Sequence, residues 1–309
     1  MSLTEKRILL VLKAATSVLL LLFISNSVLD LNAVQDVSID WRSLFLITPL
    51  PLIGSCLAAW KWRLLLEAMG GSHPFVKVLR FWLWGSLSTY VLPSQLSGDA
   101  VRVSCLSFSS GKVSDALYSA VIDKVSALFA IGVITLVGVQ FSPTIRGAAP
   151  WALWLTAFIS LIAATSFTAS VMPMGRQLLR AVLRLLRVSD TDQWCVLPTL
   201  ASLGIVVLVS FAVQALNVLG SYIVGSAFGI SLSPWDWAAT TGLVALVQLV
   251  PISFGGFGVR EVSFVWLLSL FGVPGTRALA YSLFGAVYMM TMTAALLGIV
   301  SYIASRRRI

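Results

Sequence analysis

Apolar residues run in long blocks through most of the chain, separated by short polar or basic segments. A helix crosses the roughly 30 Å of membrane hydrocarbon with about 20 apolar residues. Residues 8–29, 44–60, 115–139, 149–171, 197–228 and 278–303 each meet that need or come close to it, and they read as six spans. Pro49 and Pro51 are expected to kink the second. The first follows Glu5, Lys6 and Arg7. It is too long for the core of a cleaved signal peptide and lacks a small-x-small site, so it reads as a signal-anchor helix, with Lys13 able to snorkel to the interface.

The remaining apolar blocks are short and interrupted. Residues 76–92 lead into a polar stretch, 93–102, and residues 237–250 lead into 251–261, which is rich in Gly. Basic residues fix their direction, because Lys and Arg collect in cytoplasmic loops. The basic segments are the N-terminus, residues 61–80, residues 176–187 and the C-terminus, whereas the loop 30–42 is acidic. With the basic segments and both termini inside, region 81–112 starts and ends inside, and region 235–276 starts and ends outside. Each is therefore expected to be a re-entrant hairpin broken by Pro and Gly. Irregular backbone at that depth needs protein or a water-filled cavity around it. Residues 175–188 place Arg176, Arg180, Arg184 and Arg187 on one helical face and leucines and Val182 on the other, which predicts an amphipathic helix on the cytoplasmic surface.

The two broken segments share a pattern. Pro93, Gly98, Val101 and Arg102 recur as Pro251, Gly256, Val259 and Arg260, both fitting P-x4-G-x2-V-R. Each half of the chain offers a span, a second span, a broken hairpin and a final span, in opposite directions. The expected fold is thus an all-α polytopic membrane protein, a single domain over 1–309. It has about eight hydrophobic elements in two inverted-topology repeats, roughly 1–140 and 149–305, joined by a loop at 141–148. Paired interrupted segments of this kind mark the substrate site in secondary transporters.

Composition narrows the function. The chain of 309 residues is 58% hydrophobic and 11% charged, against about 25% charged in soluble domains, and its mean hydropathy is +0.95. A soluble fold and a disordered chain are both excluded. The net charge of +9 is read as cytoplasmic loops touching anionic headgroups rather than as a nucleic-acid surface. Cys56, Cys105 and Cys195 form no CxxC pair, and His73 is the single histidine. No disulfide framework, metal site or cofactor is expected. Neither a Walker A motif nor a GxSxG elbow is present, and the expectation is a protein that is not an enzyme. Of the tryptophans, Trp41, Trp60, Trp62, Trp151, Trp154, Trp194, Trp235 and Trp237 fall near predicted span ends, as in an aromatic belt.

Residues 93–102, 116–128 (ALYSAVIDKVSAL) and 250–261 (VPISFGGFGVRE) resemble the lysylphosphatidylglycerol synthase transmembrane, or flippase-like, family, and the resemblance extends over essentially the whole chain. The Gly-rich PxSxGGxGxRE stretch is its most specific part. Gln95-Leu96-Ser97-Gly98 replaces a Gly-Gly pair, and Lys124 follows Asp123 where the family has an arginine, which removes a bidentate guanidinium. Some members carry a fused soluble aminoacyl-transferase domain. Here the membrane blocks fill the chain, so the resemblance implies the lipid-translocating part, in a bacterial or archaeal cytoplasmic membrane.

A charge in hydrocarbon costs at least about 2.5–3.5 kcal/mol on insertion scales, so Arg102 and Arg260 need a reason to be there. One is a lipid phosphate held by two parallel hydrogen bonds, helped by N–H groups of Gly255, Gly256 and Gly258. The other is structural pairing, Asp99 with Arg102 at i,i+3, and Glu261 or another carboxylate with Arg260. Asp123 and Lys124, adjacent on a helix, cannot face each other. They are expected to pair across the bundle with Arg102 and Asp99. Pro93 and Pro251 end the half-helices, and Gly98 belongs to the first turn. The leading expectation is a translocase for a phospholipid, an aminoacyl-phospholipid or a polyprenyl-phosphate-linked lipid. Its partners are membrane lipids with anionic or phosphate-bearing headgroups, together with a lipid-synthesising enzyme. The alternatives are a lipid-binding accessory subunit and an intramembrane lipid-phosphate enzyme.

Overall fold

The computed structural model describes residues 40–92, 97–110, 113–171, 199–250, 253 and 255–307. The expected signal anchor at 8–29, the amphipathic helix at 175–188, and Pro93 and Pro251 lie outside them. Among the described residues every regular element is a helix: α1 (Trp41–Ile47), α2 (Pro49–Ala68), α3 (Phe75–Val91), α4 (Ser97–Ser110), α5 (Val113–Phe141), α6 (Pro143–Ala148), α7 (Trp151–Val171), α8 (Leu200–Ala227), α9 (Pro234–Val247), α10 (Val259–Ser269) and α11 (Gly275–Arg307). Four of them, α5, α7, α8 and α11, are long and apolar enough to cross a membrane. The chain is a multi-pass membrane protein.

Local chemistry explains the boundaries. Pro49 and Pro51 occupy the first turn of α2, where a missing N–H costs nothing. They start the helix after the break at Thr48 rather than kinking it. The helix does not stop at residue 60 as the span 44–60 suggests but continues through Lys61 and Arg63 to Ala68. Ser233 and Asp236 form a capping box at α9, reinforced by Pro234. The stretch around Gly98 is already helical, so Gly98, Asp99 and Arg102 sit in the first two turns of α4. Gly255, Gly256 and Gly258 take φ of +60°, +79° and +86° before α10, a left-handed backbone that side chains resist.

The packing is ordered around exchange of α2–α5 with α8–α11. Helix α2 packs on α3 as α8 does on α9, α3 on α4 as α9 on α10, and α4 on α5 as α10 on α11. Across the halves, α5 packs on α9 as α11 does on α3, and α5 on α8 as α11 on α2. Helices α2 and α8 meet each other and run antiparallel: Lys61 reaches Ser210, while Leu65 shares a core cluster with Leu203 and Val206. Helix α7 covers α5.

Small residues set the closest approaches, as between helices in lipid. A Cβ on Gly98 would lie 2.5 Å from the Gly85 carbonyl, so α3 and α4 touch backbone to backbone. Gly225 makes room for the Trp237 ring. Trp62 and Trp237, expected in the interfacial belt, are both fully buried, whereas Trp60, Trp151, Trp154 and Trp235 are exposed. The two interrupted segments meet each other: a Cβ on Gly255 would sit 2.8 Å from the Tyr90 carbonyl at the end of α3.

Candidate functional site

Arg102 is 2% exposed and lies inside a ladder of charges built by α2, α4 and α5. Its Nη2 is 2.8 Å from Asp99 Oδ1 and 2.7 Å from Asp123 Oδ2. Asp123 also takes Lys61 Nζ at 2.9 Å, and Asp99 takes Lys124 Nζ at 2.9 Å. Lys61 Nζ donates to Ser210 Oγ on α8 at 3.0 Å, and Ser210 Oγ donates to Ser126 Oγ at 3.1 Å. Trp82 and Trp62 cover the guanidinium, with ring centroids 4.5 and 5.0 Å away, and cation–π attraction adds to the pairing there. Arg102 Nε and Nη1 have no hydrogen-bond partner among the described residues. The ladder becomes accessible at its Asp99–Lys124 end, where the side chains are 25% and 33% exposed.

Sequence pairing thus holds for Asp99 with Arg102, Asp123 with Arg102, and Lys124 with Asp99. Lys61 is the member that sequence reading places elsewhere. It stands between Trp60 and Trp62 and looks like the basic end of a span, yet it is 3% exposed in the interior of α2. The apolar run that resumes at Leu64, Leu65 and Leu66 is the sequence signal for that placement.

The second hairpin is built differently. Glu261 is wholly buried. Its Oε2 accepts the Gly258 N–H at 2.6 Å, closing the N-terminus of α10. Its Oε1 accepts Arg260 Nε at 3.0 Å, the Arg260 Nη2 group and Ser282 Oγ at 3.4 Å. The Gly258 N–H is therefore engaged within the protein rather than offered to a ligand. Arg260 lies near Phe257, 5.5 Å from the ring centroid, and its side chain keeps 15% of its exposure.

That exposure opens into a cavity of about 340 Å³ between α3, α5, α8, α9 and α10. Arg260 and Gly255 line it together with Thr89, Tyr90, Gln214, Asn217, Ser221, Thr241 and Gln248. A second cavity, also about 340 Å³, adjoins it through Asn217, Ser221 and Met289. Its walls are largely apolar, with Leu50, Pro51, Ala58, Val213, Leu216 and Val224 among them. It also carries Trp82, the ring beneath Arg102. The structure therefore brings Gly255 and Arg260 to a cavity, and it brings Asp99, Arg102, Asp123 and Lys124 to one another, outside both cavities. Gln214, Asn217 and Ser221 escape sequence reading because they are scattered in a very apolar segment. Their i, i+3, i+7 spacing places them on one face of α8 and is the signal that finds them.

The sequence matches the family described as Lysylphosphatidylglycerol synthase TM region over residues 10–297. The chain belongs to that family. No curated protein matches it individually. Within this member of the Lysylphosphatidylglycerol synthase TM region family, both P-x4-G-x2-V-R segments and the 116–128 stretch fall inside the matched residues. Membership ties the chain to membrane-lipid biology, and no group of three or more His, Cys, Asp or Glu able to hold a metal occurs among the described residues.

Proposed function

We propose that the chain is a lipid translocase, moving a phosphate-bearing lipid between leaflets without hydrolysing ATP, in a cytoplasmic (inner) membrane with both termini inside. The observation that carries this reading is the pair of adjoining cavities, one of mixed lining in which Arg260, amides and hydroxyls stand beside Ile131, Val218 and Phe264, the other more apolar. A headgroup moves through the polar chamber while its chains stay against the apolar chamber or in lipid. That division avoids withdrawing CH₂ groups from hydrocarbon, at about 0.8 kcal/mol each.

The reading includes an inverted repeat of residues 1–140 and 149–305. It is supported by the exchange of packing partners between α2–α5 and α8–α11. The shared register of Arg102 and Arg260 and the contact of Gly255 with the end of α3 support it as well. Regions 81–112 and 235–276 are then the two re-entrant hairpins, meeting at mid-depth. Two halves facing opposite ways give a crevice that can open to one leaflet at a time.

The test is reconstitution of the pure protein into vesicles with headgroup-labelled phospholipid and dithionite added outside. Wild type is expected to expose inner-leaflet label, and a folded Arg260→Gln variant is expected to lose that ability. A folded wild type that flips no lipid, with or without a proton gradient, overturns the translocase reading in favour of a lipid-presenting subunit.

A further inference from the structure

We infer that the headgroup accepted by the polar cavity is an uncharged polyol or sugar carried on a single phosphodiester, rather than an aminoacylated, cationic headgroup. The inference rests on the translocase reading for the statement that a headgroup enters this cavity, and it goes further in naming the headgroup's chemistry.

Among the described residues, the cavity lining contains one cation and no carboxylate. Glu261, the acid that pairs with Arg260, is wholly buried, and both its oxygens are occupied by Arg260, Gly258 and Ser282. It cannot turn to receive an ammonium group without abandoning the N-terminus of α10. An aminoacyl headgroup would therefore bring its positive charge beside Arg260 with nothing to neutralise it, and an unpaired charge away from water is strongly disfavoured. The remaining polar lining is neutral. Asn217 donates one amide N–H to the Gln214 carbonyl at 3.0 Å, which leaves the Asn217 carbonyl and the Gln214 amide nitrogen for other partners. Thr89 and Thr241, whose hydroxyls donate to the Ser86 and Trp237 carbonyls, add acceptor oxygens, and Ser221 adds a hydroxyl. Amides and hydroxyls offer both donors and acceptors at short range, which matches hydroxyl groups on a ring or chain. Arg260 already shares its charge with Glu261, so one remaining negative charge on the ligand suits it better than a doubly charged phosphate monoester or pyrophosphate.

The test measures binding in detergent with three short-chain lipids: dihexanoyl phosphatidylinositol, dihexanoyl phosphatidylcholine and dihexanoyl lysyl-phosphatidylglycerol. The inositol lipid is expected to bind about tenfold tighter than either of the others, the size expected from one or two well-made hydrogen bonds. Asn217→Leu should remove that advantage. Asn217→Asp, which is nearly isosteric and supplies the missing carboxylate, should move the preference toward the lysyl lipid. Wild-type protein that binds lysyl-phosphatidylglycerol as tightly as phosphatidylinositol overturns the inference. So does a wild type that binds none of the three, or one that binds inositol no better than choline. The same three headgroups are then carried into the vesicle assay. A binding preference without flipping removes the translocase reading and leaves the specificity standing. Flipping that ignores the headgroup does the reverse.

Discussion

Arg102 and Arg260 occupy the same register of two similar segments, and their surroundings separate what each does. Arg102 is sealed between two tryptophans and shared by two carboxylates, which are themselves held by Lys61 and Lys124. Arg260 has one carboxylate, its own neighbour in sequence, and opens onto a cavity. The register shift that brings Arg102 onto Arg260 places Phe257 where Asp99 stands and Tyr281 where Asp123 stands. Two acids of the first half thus correspond to two aromatics in the second. Removing those acids is what leaves the second arginine available. The comparison teaches that a shared motif fixes where a charge sits, while its neighbours decide whether that charge holds the fold or meets a ligand.

The largest effect expected from breaking this contrast is at Asp123. Asp123→Ala strands Lys61 and half of the Arg102 pairing in the interior, and removing one partner of a buried pair costs about 3–5 kcal/mol. Thermal unfolding in detergent and the yield of folded protein measure it. The double change Lys61→Met with Asp123→Leu should recover a large part of the loss, because well-packed apolar residues can replace a buried pair. A smaller effect is expected for Gly255→Ala. A left-handed backbone costs a side chain about 1–2 kcal/mol, and the new Cβ would press on the Tyr90 carbonyl. Flipping in vesicles should fall more than the unfolding temperature does.

Arg260→Lys sharpens the comparison. It keeps a cation beside Glu261 but loses the planar fork, so the fold should survive while flipping drops roughly ten- to a hundredfold, the worth of a charged hydrogen bond of about 1.5–3 kcal/mol. Arg102→Lys should show the opposite profile, with stability affected before transport. Equal profiles for the two substitutions would erase the distinction. The smallest effect belongs to Arg63→Ala, which breaks a half-exposed i,i+4 pair with Glu67 worth about 0.3–0.5 kcal/mol. It serves as the reference for a change that should alter neither property.

Much of this arrangement can be read from the sequence because the forces involved are local or costly. Asp99 and Arg102 lie at i,i+3 on one helix, so their pairing follows from spacing, whereas Glu261, adjacent to Arg260, reaches it only because it folds back over the first turn of α10 onto the Gly258 N–H. Asp123 and Lys124 cannot face each other on a helix and must look elsewhere, which is how their partners were foreseeable. Lys61 was not, because a lysine among tryptophans fits the membrane interface as well as the interior. The apolar run at Leu64, Leu65 and Leu66 favours the interior, and the tertiary positions of α5 and α8, which supply Asp123 and Ser210, decide it. The polar cavity was illegible for a related reason. Its amides and hydroxyls come from several helices, and single polar residues in apolar segments carry no pattern until those helices are brought together. Family membership follows from the chain as a whole, whereas the packing exchange between halves exists only in three dimensions.

Helix α5 is gripped on two sides by contacts that leave no slack. Gly132 lies against Ser160 of α7, Gly138 against the backbone of Ala239, and Gly242 of α9 against Thr135. The corresponding seam between α3 and α11 is made instead by Leu79 and Leu83 with Leu297 and Val300. Leucines can change rotamer as helices slide, while a helix seated against backbone or against short, β-branched or hydroxyl side chains has less room to move. Mechanically, the molecule therefore has a stiff flank and a compliant flank. Strain at the seams of α5 and α3 is thus expected to be taken up between α3 and α11 before α5 parts from α7 or α9.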